Sequence, residues 1–149
     1  VRRGHGLGNH SYAHWRSAAL RSTRRLTDDF ARAQALLERA GARGRWFRPP
    51  IGILSPQVVR AAERAGLQLV GWTRSARDGV ASTTVERACA RLIGALAPGA
   101  ILVLHDGVER GGRRPIAPEV LPALLDALDA RGLKSVTLDE LFGDAPGKV

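Results

Sequence analysis

Five consecutive apolar residues, Ala100 to Leu104, follow Pro98-Gly99 and run straight into His105-Asp106-Gly107. A strand that is apolar on every side must be covered on both faces, which is the habit of parallel sheets flanked by helices. No other stretch constrains the fold as strongly, and the rest of the chain supplies the covering helices. Residues 27 to 40 carry a helical stripe of Leu26, Phe30, Ala33, Leu37 and Ala40, with Thr27 as N-cap, Asp28-Asp29 in the first turn and Gly41 as stop. Arg45 to Arg48 is a short strand halted by Pro49-Pro50. Ser55-Pro56 opens a second helix with Val58, Val59, Ala62 and Ala65 inward, closed by Gly66. Leu67 to Trp72 is an apolar strand.

Thr83 or Thr84 opens a third helix, ended by Pro98-Gly99, with Val85, Ala88, Cys89, Leu92, Ile93 and Leu96 on one face. Cys89 is expected in the core rather than as a nucleophile. A fourth helix over residues 118 to 131 turns Val120, Leu121, Leu124, Leu125 and Leu128 inward. Ser135 to Thr137 reads as a strand and Asp139 to Phe142 as a last helical turn. Strands alternating with helices predict an α/β fold with a mainly parallel sheet or barrel. Gly107 to Arg114 reads as a polar, mobile insert, and residues 145 to 149 as a fraying tail.

The 149 residues can bury a real core as one domain, and 44% hydrophobic with 25% charged residues excludes a disordered or fibrous chain. No apolar run reaches the roughly 18 to 20 residues of a membrane span. A single cysteine excludes an intrachain disulfide. The net charge of +9 comes almost wholly from Arg, concentrated in residues 1 to 48. Such a balance can attract nucleic acid or another polyanion. However, Arg32, Arg39 and Arg43 fall among Ala and Leu at helical spacing, as on a solvated surface, and no nucleic-acid motif accompanies them.

Four histidines, His5, His10, His14 and His105, are the scarce chemical resource. His10 and His14 stand four apart, which on a helix or tight turn presents both imidazoles to one divalent metal. The same spacing also suits two surface histidines. Gly4 to Gly8 has neither the Walker nor the dinucleotide spacing, so a turn suffices for it. Arg48 precedes Pro49-Pro50-Ile51-Gly52, a stiff turn that can hold a guanidinium toward a carboxylate or merely stop a strand. Asp78 and His105 each follow a strand, at the edge where ligands gather in α/β folds.

Taken in order, Gly8-Asn9-His10-Ser11-x-x-His14, Arg48-Pro49-Pro50-x-Gly52, Trp72-(x)5-Asp78 and the strand ending in His105-Asp106 resemble the polysaccharide deacetylase family, the NodB-homology or carbohydrate esterase 4 group. The resemblance runs over about residues 4 to 142 and implies a distorted parallel (β/α) barrel. It implies a hydrolase that removes acetyl groups, N-acetyl before O-acetyl, from a polysaccharide or other glycan. By the same resemblance His10 and His14 hold a divalent metal, zinc first and cobalt, nickel or manganese next, and Ser11 braces their loop. Arg48 orients a carboxylate base, and the backbone N–H of Ile51 helps hold the oxyanion although the family's usual residue there is Tyr. Asp78 orients His105, the acid that protonates the leaving group, with Gly79 where the family has Trp and Val103 where it has Leu. These groups are expected to converge at the C-terminal ends of the strands.

The family's first motif, Thr/Ser-Phe-Asp-Asp, supplies the base and a third metal ligand. Nothing before His10 reads Phe-Asp-Asp, and Asp28-Asp29 follows the histidine box on a helix and is rejected as a substitute. Val1-Arg-Arg-Gly-His5 is neither a start methionine nor a secretory leader. The expectation is therefore a single partial domain over residues 1 to 149, lacking its first strands, its first motif and its third protein ligand, and inactive or nearly so by itself. The resemblance favours an extracellular, periplasmic or cell-surface location. A non-catalytic carbohydrate-binding relative of the same fold and a basic nucleic-acid module are the competing readings. No specific nucleic-acid partner and no membrane span are expected.

Overall fold

The computed structural model describes residues 3–42, 44–107 and 114–143. The chain divides into two compact units, Val1–Gly71 with Thr137–Val149, and Trp72–Val136.

In the first unit, helix α1 spans Thr23–Arg39, strand β1 Trp46–Phe47, helix α2 Pro56–Arg64, strand β2 Gln68–Leu69 and helix α5 Leu138–Phe142. β1 and β2 pair in parallel, Trp46 opposite Gln68 and Phe47 opposite Leu69, with α2 as the crossover. Asn9 adds a parallel bridge to Phe47. Leu26 and Phe30 from α1 and Val58, Ala61 and Ala62 from α2 close over Phe47. The Phe30 and Phe47 rings sit 4.2 Å apart between centroids. Ser55 caps α2 by accepting from the Val58 N–H, with Pro56 at the first helical position, as the sequence predicts.

Three expectations need correction in this unit and at its borders with the second. α1 starts a turn before Thr27: Ser22 is its N-cap, accepting from the Arg25 N–H. Thr27 instead donates its hydroxyl to the Thr23 carbonyl from inside the helix. Asp28 and Asp29 therefore leave the first turn, and Asp29 turns inward to 7% exposure. Second, Ser135 to Thr137 forms no strand. Thr137 has other work as the N-cap of α5, in a reciprocal box with Glu140. Third, the strand predicted from Leu67 to Trp72 shrinks to β2, and Trp72 is 38% exposed.

In the second unit, strand β3 spans Arg74–Ser75, helix α3 Val85–Ile93, strand β4 Leu102–Val103 and helix α4 Ala117–Ala130. β3 and β4 are again parallel with a helical crossover, Arg74 opposite Leu102 and Ser75 opposite Val103. The sequence does not announce β3, because Arg74 and Ser75 are polar and only backbone pairing makes them a strand. Ala76, Ala88, Leu92, Val120 and Leu124 form the core. Thr84 caps α3, which stops at Gly94 rather than at Pro98-Gly99. Residues 101 to 104 are half-buried, not covered on both faces. On α4 only Val120 and Leu124 of the five expected residues are buried; Leu121 and Leu125 are 43% and 49% exposed. Cys89 is half-buried and packs against this core.

Each unit is thus a βαβ element with a parallel strand pair, the α/β organisation expected from the sequence. Positions 108 to 113 of the predicted mobile insert and the 145 to 149 tail lie outside the described residues. No helix among the described residues is long and apolar enough to cross a membrane.

Candidate active site

The His10–His14 segment leaves the Asn9 bridge at the C-terminal end of a parallel strand pair. Asn9 donates its N–H to the Trp46 carbonyl at 2.7 Å, and its own carbonyl accepts from the Arg48 N–H at 2.9 Å. One step past that ladder the chain turns sharply. Ser11 and His14 both take left-handed backbone angles, φ +66° and +48°. Single residues of this kind cost energy and persist only where their surroundings fix them.

The surroundings here are polar and buried. The Asn9 side chain, 2% exposed, accepts from the Ser11 N–H at 2.9 Å and donates to the Phe30 carbonyl at 2.9 Å and to Gln34 Oε1 at 3.3 Å. Gln34 in turn donates to the Gly44 carbonyl at 2.9 Å. The Ser11 hydroxyl accepts from the His14 N–H at 2.9 Å, so the bracing expected of Ser11 is a hydrogen bond to the second histidine's own backbone. The Asp29 carboxylate accepts from the Tyr12 N–H at 2.9 Å and from the Ala13 N–H at 3.0 Å. Asn9, Asp29 and Gln34 are contributors that the sequence reading gave no role. Correct placement of the α1 N-cap was the signal that would have exposed Asp29.

The result is a pair of imidazoles with their Nε2 atoms 3.2 Å apart. His10 Nδ1 lies 2.6 Å from the Arg48 carbonyl oxygen. A carbonyl only accepts, so Nδ1 carries a proton, and in the neutral ring the lone pair is on Nε2. Two zinc–nitrogen bonds of about 2.0–2.1 Å in tetrahedral geometry place their nitrogens roughly 3.3–3.4 Å apart. The observed spacing, the exposure of both rings and the anchored Nδ1 therefore fit two ligands of one divalent ion, with the Arg48 carbonyl as the outer partner such ligands take. Among the described residues no group of three or more His, Cys, Asp or Glu side chains gathers as a complete metal cage.

Arg48 sits directly after β1. Its guanidinium reaches the Gly71 carbonyl at 3.3 Å, and its Nε is buried with no acceptor among the described residues. Burial lowers its pKa from the usual guanidinium value. Ile51, in the 3₁₀ turn Pro50–Gly52, has φ +52°. A β-branched side chain in that region is a backbone outlier, of the kind found at functional turns.

The second unit holds the other pair. Asp78 lies three residues past β3 and His105 two past β4, so both leave the C-terminal ends of paired parallel strands. Asp78 is 6% exposed. One of its oxygens accepts from the His105 backbone N–H at 2.6 Å and the other faces His105 Nδ1 at 2.9 Å. The carboxylate therefore fixes both the main chain and the ring, with Nδ1–H donating and Nε2 turned away from Asp78. The His105 side chain remains 48% exposed. The loop behind Asp78 is closed by Thr83, whose hydroxyl donates to the Arg77 carbonyl at 2.7 Å.

The Arg-rich surface is partly spent on aromatic neighbours. Arg32 stacks 3.7 Å over the Tyr12 ring and donates to its hydroxyl at 2.9 Å, and Arg21 and Arg25 each lie 5.1 Å from Trp15.

Paired parallel strands with histidine and carboxylate groups at their C-terminal ends define an α/β class of site-bearing fold, and comparison with known proteins narrows it. The polysaccharide deacetylase family model matches residues 1–70. A chitooligosaccharide deacetylase of Azorhizobium caulinodans is 32% identical over 87% of this chain and 65% of its own length. A peptidoglycan-N-acetylglucosamine deacetylase of Bacillus cereus is 31% identical over 95% of this chain and 65% of its own length. The structure of a family 4 acetyl xylan esterase from Clostridium thermocellum, in complex with a cobalt ion, superposes with a TM-score of 0.82 at 33% identity, covering 95% of this chain and 66% of that one. The chain belongs to the polysaccharide deacetylase family. It spans about 65% of the length of these two curated relatives.

Proposed function

We propose that this chain carries the metal-histidine and acid parts of a deacetylase that hydrolyses N-acetyl groups on a glycan built from N-acetylglucosamine. The observation that carries the reading is the imidazole pair of His10 and His14, Nε2 to Nε2 at 3.2 Å, with His10 Nδ1 anchored on the Arg48 carbonyl. The relatives named for chitooligosaccharide and peptidoglycan substrates share that sugar chemistry. That substrate class supports an extracellular, periplasmic or cell-surface location.

His10 and His14 would hold a divalent ion, zinc first, with cobalt, nickel or manganese as substitutes. When bound, such an ion polarises an acyl carbonyl and acidifies a water. The remaining chemistry belongs to the chain. His105, held by Asp78 through Nδ1, offers Nε2–H to the leaving amine as general acid once protonated. Asp78 stabilises the imidazolium and fixes its tautomer. The buried Nε of Arg48, without an acceptor among the described residues, supports its reading as a donor that orients a carboxylate. The strained Ile51 turn supports a role for its N–H as an oxyanion donor.

A carboxylate base and a third protein ligand, which the family's Phe-Asp-Asp motif carries, have no counterpart in these 149 residues. The chain by itself should then bind metal weakly and release acetate slowly. The test is acetate release from chitin oligomers by this chain with added Zn²⁺ or Co²⁺, beside a family member containing Phe-Asp-Asp. The expected result is metal-dependent release at least about 10³-fold slower than that member, the scale lost when a catalytic base is removed. A rate equal to that member's would overturn the inactivity, and release indifferent to chelator would overturn the metal reading.

A further inference from the structure

We propose that Asp29 is a positioning residue for the His10–His14 loop, setting the direction of both imidazoles without touching metal or substrate. This rests on the reading of that loop as a metal-ligand loop. Asp29 stands on α1, 7% exposed, and spends both carboxylate oxygens on two consecutive amides, those of Tyr12 and Ala13. These are two of the three residues between the histidines. The third, Ser11, is held by Asn9, whose amide in turn donates to the carbonyl of Phe30, the residue after Asp29. One stretch of α1 therefore holds two of the three amides between the ligands directly and the third through Asn9.

The chemistry demands a carboxylate. Two adjacent N–H groups converging on one side chain need two acceptors, and ionised Asp offers them with no donor in the way. Asn in the same space accepts one and turns its NH₂ against the other. The amides belong to no helix or strand, and the loop enters and leaves through left-handed Ser11 and His14. Without Asp29 the turn loses its main restraint, and His10 loses its fixed approach to the Arg48 carbonyl, which sets its tautomer. Outer partners of this kind are worth about 10–100-fold in metal affinity.

The test compares Asp29→Asn with Val58→Ala, a change in the same buried core that lowers stability without touching the loop amides or their anchors. In the metal-free chain, ¹⁵N shifts of the His10 ring are expected to show one Nδ1–H tautomer in the unsubstituted protein and in Val58→Ala. Asp29→Asn should show a tautomer mixture. Co²⁺ affinity should fall about 10–100-fold in Asp29→Asn and stay unchanged in Val58→Ala. Wild-type ring shifts in a folded Asp29→Asn chain, or equal losses in Val58→Ala, would overturn the proposal.

If the unsubstituted chain binds no Co²⁺, the metal reading falls while the ring shifts still decide the role of Asp29. If Asp29→Asn does not fold, hydrogen exchange in the unsubstituted chain decides. Tyr12 and Ala13 amides should be protected at least about 100-fold, as amides hydrogen-bonded to a buried carboxylate are. Exchange at the unstructured rate overturns the proposal.

Discussion

The two histidine sites are built in opposite ways. His105 is fixed by one residue: Asp78 takes its backbone N–H and its ring nitrogen with the two oxygens of a single carboxylate. The His10–His14 pair is fixed by a relay through Asn9, Ser11, Asp29, Gln34 and the Arg48 carbonyl, drawn from the loop, α1 and the end of β1. The difference follows from what each has to hold. One ring needs one orientation and one tautomer, and a buried carboxylate supplies both. Two rings aimed at a common point need the loop between them frozen, including two left-handed residues, and no single side chain reaches that far.

The largest expected effect isolates the simple site. His105→Ala should bring the chain's slow metal-dependent acetate release down to the level seen with chelator, since loss of a general acid costs about 10²–10⁴-fold, while leaving Co²⁺ affinity unchanged. An equal loss of affinity would show the two sites to be one energetic unit. The reverse experiment is His10→Ala, for which Co²⁺ titration should show a loss beyond the 10–100-fold of an outer-partner change, with the His105 ring shifts untouched.

The two cores can be set against each other in the same way. Phe30→Ala empties a 1%-exposed position stacked on Phe47 and should cost about 3–5 kcal/mol. Leu92→Ala, fully buried in the second unit, should cost about 2–5 kcal/mol. Denaturant unfolding followed separately at Trp46 and Trp72 would show whether both report the same loss. A smaller gain is expected at the strained turn: Ile51→Gly relieves a φ of +52° and should stabilise by about 1 kcal/mol or less in thermal unfolding.

The smallest effect is a pH dependence at α5. The Glu140 carboxylate accepts from the Thr137 N–H and then from the Thr137 hydroxyl, which holds its pKa below the usual carboxylate value. A folded pKa below the unfolded one means the folded state favours the ionised form. The capping box is therefore intact above the ordinary Glu range and weakens as pH falls through the depressed folded value. Amide exchange at Thr137 should quicken over that acid range, and Glu140→Gln should remove the dependence.

Several features were legible without coordinates because they rest on local physics. Ser55-Pro56 and Thr84 announce their helices since a cap acts within three residues. His10, His14, Arg48, Asp78 and His105 stood out only together, through the order of four short boxes that resemble the family's motifs. The failures are equally specific. Thr27 looked like the cap of α1 because two acids follow it, yet Ser22 won the position and Asp29 became a buried clamp. Arg74-Ser75 was invisible as a strand because its identity lies in its partner, β4. Ser135 to Thr137 looked like a strand until Thr137 was taken by the capping box.

The sequence by itself determined the α/β order, the apolar face of α3 and part of that of α2, where Ala61 is buried outside the predicted stripe, since these depend on periodicity along a few neighbouring positions. Tertiary structure alone decided how the histidine loop is held. Asp29 meets that loop, and Phe30 and Gln34 meet its anchor Asn9, across separations of 16 to 25 residues. A hydrogen bond acts over about 3 Å of space and is blind to distance along the chain, so which carboxylate becomes a helix cap and which becomes the clamp of a site is settled only when the helix is packed in place.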